Sequence, residues 1–343
     1  MTGTESAKDA KIEAPYRILM SLYKDSRVTV KRLSEELELP RHRIAKILGD
    51  LERTRKIAYT LQIDESKLGF SEGRIVTIKF GAAPDMEMIR KRLEKDIAVQ
   101  DAYLAIGDFD LLIYAVGMSH KDYLNWQWHM RVDFGEYKPV LKSASADSYH
   151  VGFFPLRTRL IEKSSVLSDL ERRILVNLNK NSRIRMKDLI RRCRSTQMRV
   201  IYALKKLEER EIIRRFSGLV QETDKRIILA YTESVIPIKD RAHIQLAFYD
   251  AVSNENYNEA SNDYCVFADT SGAYDGLFLC TFENSDALYK KGPASNERIF
   301  AEESPKIEKA ALTDVIVGKW PFHLENYSEW NGRFRKLSGT EYD

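Results

Sequence analysis

The chain has 343 residues, 43% of them hydrophobic, 31% charged and 10% aromatic, with 55 Lys and Arg against 51 Asp and Glu and a net charge of +4. This composition excludes a disordered or collagen-like chain, and the length fits two or slightly more domains of about 150 residues each. So small a net charge argues neither for nor against a nucleic-acid partner; where the charge sits decides.

Cys193, Cys265 and Cys280 lie far apart, and an odd count at such spacings speaks against a disulfide framework and for a reducing compartment. The first residues are polar, without the apolar stretch of a leader, and no apolar run approaches the roughly 18 residues that span a bilayer. The expectation is a multi-domain cytoplasmic protein without membrane contact.

Residues 14–23 read as a helix with Ile18, Leu19 and Leu22 on one face. Residues 30–37 form a short amphipathic helix, with Val28 and Leu33 inward. After a break at Glu38-Leu39-Pro40, Pro40 is placed to open a third helix over 41–53, where Ile44, Ile47, Leu48 and Leu51 follow i, i+3, i+4, i+7. Residues 57–63 alternate like a strand. Helix, helix, tight turn, helix and strand pair make a winged helix-turn-helix.

The following stretch is of mixed type. A strand is expected over 74–80, a helix over 86–98 with Met88, Ile89 and Leu93 on one stripe, and two strands over 99–117 joined at Gly107-Asp108. A helix over 121–132 and a strand over 141–154 complete the order βαββαβ, the ferredoxin-like pattern. Trp126, Trp128 and His129 make the second helix aromatic-rich, and core or interface is the ordinary role of such a stripe.

The chain then repeats itself. The segment from Arg17 to Ile57 aligns without a gap on the segment from Arg173 to Ile213, with roughly a third of positions identical. Ile18, Leu19, Leu22, Leu33, Leu48 and Leu51 match Ile174, Leu175, Leu178, Leu189, Leu204 and Leu207, the apolar positions that a small helical core requires. Ser195 or Thr196 would cap the third helix of this copy. A second mixed unit starts at Ile227 with a strand, then a helix over 241–251, two strands around Gly272, a helical stretch, and a strand ending near Trp320. Phe153-Phe154-Pro155 and Trp320-Pro321-Phe322 recur at matching places and read as packing between the halves.

The expected fold class is α+β: two winged helix-turn-helix domains alternating with two ferredoxin-like domains. The boundaries are a tail at 1–11, winged helices at 12–63 and 166–221, a linker at 64–73, mixed domains at 74–157 and 226–327, and a polar tail at 328–343.

In a winged helix-turn-helix the third helix enters the major groove and reads bases from its N-terminal end. The outward residues of the first copy are Arg41, His42, Arg43 and Lys46; those of the second are Gln197, Met198, Arg199, Tyr202 and Lys205. Arginine suits guanine and glutamine suits adenine as bidentate partners, while Lys and Arg nearby neutralise phosphates. From Lys180 to Arg215 roughly a dozen Lys and Arg stand against about four acids, a bias that suits an anionic duplex. Arg191, Arg192 and Arg194 cluster in the turn, and Arg214 and Arg215 open the wing. The plainer reading is the solvated face of a stable helix, and Met198 is open between core and contact.

These features resemble the Lrp/AsnC family of feast/famine transcription regulators, in two tandem copies that cover nearly the whole chain. The matching residues are the ILxxLxKxSR pattern of the first helix, Leu51-Glu52-Arg53 with Ile57, the linker from Asp64 to Phe70, and a GxxD hairpin. The resemblance implies double-stranded DNA as partner, a nucleoid-associated protein in the cytoplasm, and RAM-type mixed domains that pair and self-associate. It also implies an amino acid or other small-molecule effector. Two copies in one chain imply an intramolecular pseudo-dimer with its two sheets packed together. The GxxD hairpins, near the effector site of single-copy members, point to Gly107, Asp110, Gly272 and Asp275; ordinary turn chemistry explains the same residues.

Two other functions compete. One is an architectural protein that binds DNA broadly. The other is an enzyme, since Lrp-like chains, sometimes fused in pairs, also serve as siroheme decarboxylases. That family places histidines and an arginine around the hairpin of the mixed domain, and neither hairpin here has a histidine. His120, His129, His150, His243 and His323 are scattered, without the spacing of a metal site, and no P-loop or GxGxxG occurs. The expectation is therefore no enzyme activity, no cofactor and no metal.

Overall fold

The computed structural model describes residues 14, 17–19, 21–54, 57–70, 73–117, 119–151, 153–220, 227–234, 264–282 and 306–318. They form an α+β fold with a winged helix-turn-helix and a curled antiparallel sheet. The expected helix at 241–251, the second helical stretch of that unit, both tails and Trp320-Pro321-Phe322 lie outside the described residues.

The first module has helical residues at 14, 17–19 and 21–24 (α1), then α2 (Val30–Leu37) and α3 (Arg41–Arg53). Thr29 caps α2 by accepting the Arg32 N–H. Pro40 stands at the N-cap of α3, one position before its expected place. Ile44, Ile47, Leu48 and Leu51 are buried on α3 against Ile18, Leu19, Leu22 and Leu33. The second module has α6 (Thr158–Lys163), α7 (Asp169–Lys180), α8 (Met186–Cys193) and α9 (Gln197–Glu209). A capping box of Ser168 and Glu171 starts α7. The helix α6 falls in the interval that the sequence reading left unassigned.

The strands correct one expectation. Each module was expected to carry its own strand pair. Instead β1 (Ile57–Ile63) pairs antiparallel with β6 (Ile213–Val220), so each module supplies one strand of a two-stranded sheet that joins them.

The junction beneath this sheet is reciprocal. Buried Ser26 and Ser182 share a hydrogen bond of 2.6 Å between their hydroxyls. Arg27 donates to the Ser182 carbonyl and Arg183 donates to the Ser26 carbonyl, each at 3.0 Å. The Ser26 N–H donates to the Phe216 carbonyl and the Ser182 N–H to the Tyr59 carbonyl. Arg27 lies over the Phe216 ring and Arg183 over the Tyr59 ring. The same contacts run in both directions, as at an isologous interface.

Eight strands form a closed barrel: β2 (Arg74–Phe80), β3 (Val99–Gly107), β4 (Leu111–Ala115), β5 (Pro139–Val151), β7 (Ile227–Ser234), β8 (Tyr264–Gly272), β9 (Gly276–Phe282) and β10 (Lys306–Val317). Their order is β10-β3-β4-β2-β5-β8-β9-β7. The expected two packed sheets are thus one sheet, closed edge to edge where β3 meets β10 and β5 meets β8. Among the described residues, closure leaves none of the eight barrel strands with an unpaired edge. The outer face of its first half carries α4 (Met86–Lys95) and α5 (His120–Asp133), whose Ile89, Leu93, Tyr123, Trp126 and Met130 pack on Val76, Ile78 and Ile113. The inner face, with Tyr103, Tyr114 and Leu279, is continuous with the apolar core of the second module through Phe154, Leu160 and Ile161. Phe153 instead joins the core of the first module. Adjacent residues of one segment thereby tie the barrel to both helical modules. No helix among the described residues is long and apolar enough to cross a membrane.

Candidate nucleic-acid interface

The second module presents the most strongly basic helix-turn-helix. Leu189 and Cys193 bury one side of α8, and the helix stops at Arg194, whose positive φ of 48° turns the chain toward α9. Thr196 is the N-cap of α9 in extended conformation, without a side-chain capping bond, which decides between the two expected caps. Val200, Ala203, Leu204 and Leu207 face the core. Glu171, at the start of α7, accepts from Arg210 at 3.2 Å just past the end of α9, holding the two helices together. Burial alone would raise the Glu171 carboxyl, but the bonds from Ser168 and the charge of Arg210 outweigh it and hold the group below its ordinary value.

On the opposite side of α9, Gln197, Met198, Arg199, Ile201, Tyr202 and Lys205 are exposed, and Arg191, Arg192 and Arg194 are exposed beside them. Arg191 pairs with Asp188 at 2.8 Å and Lys205 with Glu209 at 3.4 Å; both are surface pairs within one helix, of the kind that a phosphate readily displaces. Met198 is 77% exposed, so it is not part of the core. In the first module Arg41, His42 and Lys46 are exposed and Arg43 is half-buried, around the small residues Ala45 and Gly49.

Arg214 and Arg215 make their contacts across the modules. Arg214 donates to the buried Asp64 carboxylate at 2.7 and 3.2 Å. Arg215 donates to Gln62 at 2.7 Å and to the Tyr23 hydroxyl, with its guanidinium 4.3 Å from the Tyr23 ring. Both arginines link β6 to the first module. The strand that carries them is paired across the modules, so both side chains have partners there.

The hairpin residues occupy the barrel closure. Gly107 and Gly272 have φ of 153° and 134°, and lie opposite Ala310 and Ala144. A Cβ on Gly107 would stand 2.3 Å from the Lys309 carbonyl oxygen. Asp110 accepts from the Phe80 N–H and from Lys79. The Asp275 carbonyl accepts from the Thr270 N–H. Near the barrel end a cavity of about 390 Å³ opens between the two-stranded sheet and the barrel, lined by Thr60, Asp101, Arg157, Arg159, Asn179 and Lys180 among others. The Arg157 guanidinium donates to the carbonyls of Glu94, Asp96 and Val99. No spacing in the sequence announced this cavity. Ile201 was also missed, although it lies off the buried stripe of α9 by helical spacing alone.

Residues 167–214 match the family described as winged helix-turn-helix DNA-binding, so the chain carries such a domain. No curated protein matches. Among solved structures, a crystal structure of the siroheme decarboxylase NirDL is similar over 95% of this chain and 100% of its own, with TM-score 0.57 and 13% identity. The same protein in complex with an iron-uroporphyrin III analogue is similar with TM-score 0.55 and 15% identity, over 95% and 99% of the two chains. An AsnC family transcriptional regulator from Agrobacterium tumefaciens is similar over 39% of this chain and 89% of its own, with TM-score 0.33 and 22% identity. The fold of the whole chain is therefore one that an enzyme uses. This overturns the expectation of no enzyme activity: hairpins without histidine do not exclude catalysis on such a fold.

Proposed function

We propose that the chain is a sequence-specific DNA-binding transcription regulator of Lrp/AsnC type, two units in one chain acting as an intramolecular pseudo-dimer. The observation that carries this reading is the exposed basic face of the second helix-turn-helix: Arg191, Arg192, Arg194, Gln197, Arg199 and Lys205 around the start of α9. The reciprocal contacts of Ser26 and Arg27 with Ser182 and Arg183 support the pseudo-dimer. So does the strand order, in which 3-4-2-5 and 8-9-7-10 follow the same plan. Over the first two turns of the two recognition helices the outward side chains differ everywhere except at Arg43 and Arg199, and so suit an asymmetric operator. Small-molecule response and self-association through the barrel belong to the same proposal.

Genomic pull-down with the purified chain, followed by footprinting with and without amino acids, tests it. Enriched sites that survive competitor DNA are expected. Arg199→Ala should relax base preference at one position and cost about 1–3 kcal/mol. A uniform loss across sequences, with a salt slope smaller by about one, would instead mark Arg199 as a phosphate contact and favour an architectural protein.

A second reading rests on the likeness to NirDL over 95% of the chain: a decarboxylase acting on siroheme. Anaerobic incubation with siroheme, followed by mass spectrometry for loss of CO₂ from its side chains, decides it. An unchanged tetrapyrrole would remove this reading.

A further inference from the structure

We infer that α9 reads the 5-methyl groups of thymine, so that the half-site under the second module is A·T-rich while that under the first is not. This rests on the DNA-binding proposal above and specifies its ligand.

Met198, Ile201 and Tyr202 are 77%, 42% and 72% exposed and stand at i, i+3 and i+4, next to one another on the outward face of α9. Three large apolar side chains grouped on one surface of a helix leave a patch that water solvates poorly, and such patches mark binding surfaces. Packing does not demand them. At the ungapped offset of 156 residues, the counterparts on α3 are His42, Ala45 and Lys46, and α3 buries an equivalent stripe. The first helix thus performs the same structural task with small or polar residues at these three places.

Charge commits the occupant. Arg194, Arg199 and Lys205 border the patch, so an anionic surface suits the rim while something apolar suits the centre. In the major groove of a duplex the phosphates supply the first, and the thymine methyl is the apolar group the bases offer. Gln197, exposed at the first position of α9, has the amide that pairs with the N6 and N7 of adenine, thymine's partner. Tyr202 adds an aromatic face that packs on a methyl and a hydroxyl that can reach a phosphate.

Uracil lacks only that methyl and keeps every hydrogen-bonding group of thymine, which makes it the probe. The duplex that binds best is selected from a randomised library with the full chain and resynthesised with uracil for thymine, one half-site at a time. Affinity is expected to fall about fourfold per methyl lost in the α9 half-site, the effect of one buried methyl-sized group, and to stay unchanged when the α3 half-site is altered. Met198→Ala and Tyr202→Ala should bind the thymine duplex more weakly and lose the discrimination against uracil, while Tyr202→Phe keeps it. Both positions are exposed, and unchanged melting temperatures will show the variants folded. Equal binding to both duplexes by the unaltered chain overturns this inference and leaves DNA binding standing. No binding to any duplex at low salt overturns both.

Discussion

Asp64 sits at the seam between the modules and shows how a single side chain couples them. Burial alone would raise its carboxyl, but hydrogen bonds from Ser66 and Arg214 and the charge of Arg214 outweigh burial and hold it below the ordinary carboxylate range. A carboxyl lowered by folding stabilises the fold above its unfolded value of about 3.9, and that stabilisation is lost as pH falls through the lowered value. Asp64→Asn should therefore lower stability at pH 7 by about 1–3 kcal/mol, and the gap to the unaltered chain should close in acid. Urea titrations at neutral and acid pH will measure it. Ser26 and Ser182 offer a second test, since each buried hydroxyl satisfies the other. Either serine changed alone to alanine strands its partner, at about 1–3 kcal/mol, whereas the double change removes both polar groups together. A double-mutant cycle is expected to give a smaller loss for the pair than the sum of the singles.

At the level of elements, the helices of the two modules were legible and the strand pairing between the modules was not. The i, i+3, i+4, i+7 spacing of Ile44, Ile47, Leu48 and Leu51 records a local demand, the burial of one face, and α3 follows it. The alternation of 57–63 likewise announced a strand, but nothing within it could name a partner at 213–220, because ladder bonds are made by backbone groups common to all residues. The outward faces of α3 and α9 were legible for the same reason as their cores, whereas the bonds of Arg214 and Arg215 were not, because their partners Asp64, Gln62 and Tyr23 come from the other module. The junction carried one readable trace: the Ser-Arg pair that recurs at Ser26-Arg27 and Ser182-Arg183. Gly218 tests the ladder. A Cβ there would come within 2.9 Å of the Ile57 side chain and 3.3 Å of Leu22. Gly218→Val should destabilise by about 1–3 kcal/mol through overpacking, seen as a lower melting temperature.

At the scale of the whole molecule, the barrel is the part that composition and periodicity understated. The first βαββαβ unit was readable, but edge-to-edge closure depends on Gly107 and Gly272 letting Ala310 and Ala144 approach. At Gly107 the backbone of β10 fills the space that a side chain would need. Gly107→Ala is expected to loosen the β3–β10 seam, read as faster amide exchange along Ala310 to Val315 with little change in α7 to α9. The core that runs from the barrel through Phe154 into the second module limits how far the seam can open independently.

The β1–β6 ladder brings together strands about 150 residues apart in one chain, and that has a consequence for dosage. A dimer of separate subunits holds together only while their concentration exceeds its dissociation constant. A ladder closed within one chain works instead at an effective concentration set by the intervening residues, independent of how many copies a cell contains. Each molecule is thus born with its two helical modules yoked, so that the proposed binding of DNA would not wait on the meeting of two chains even at very low abundance.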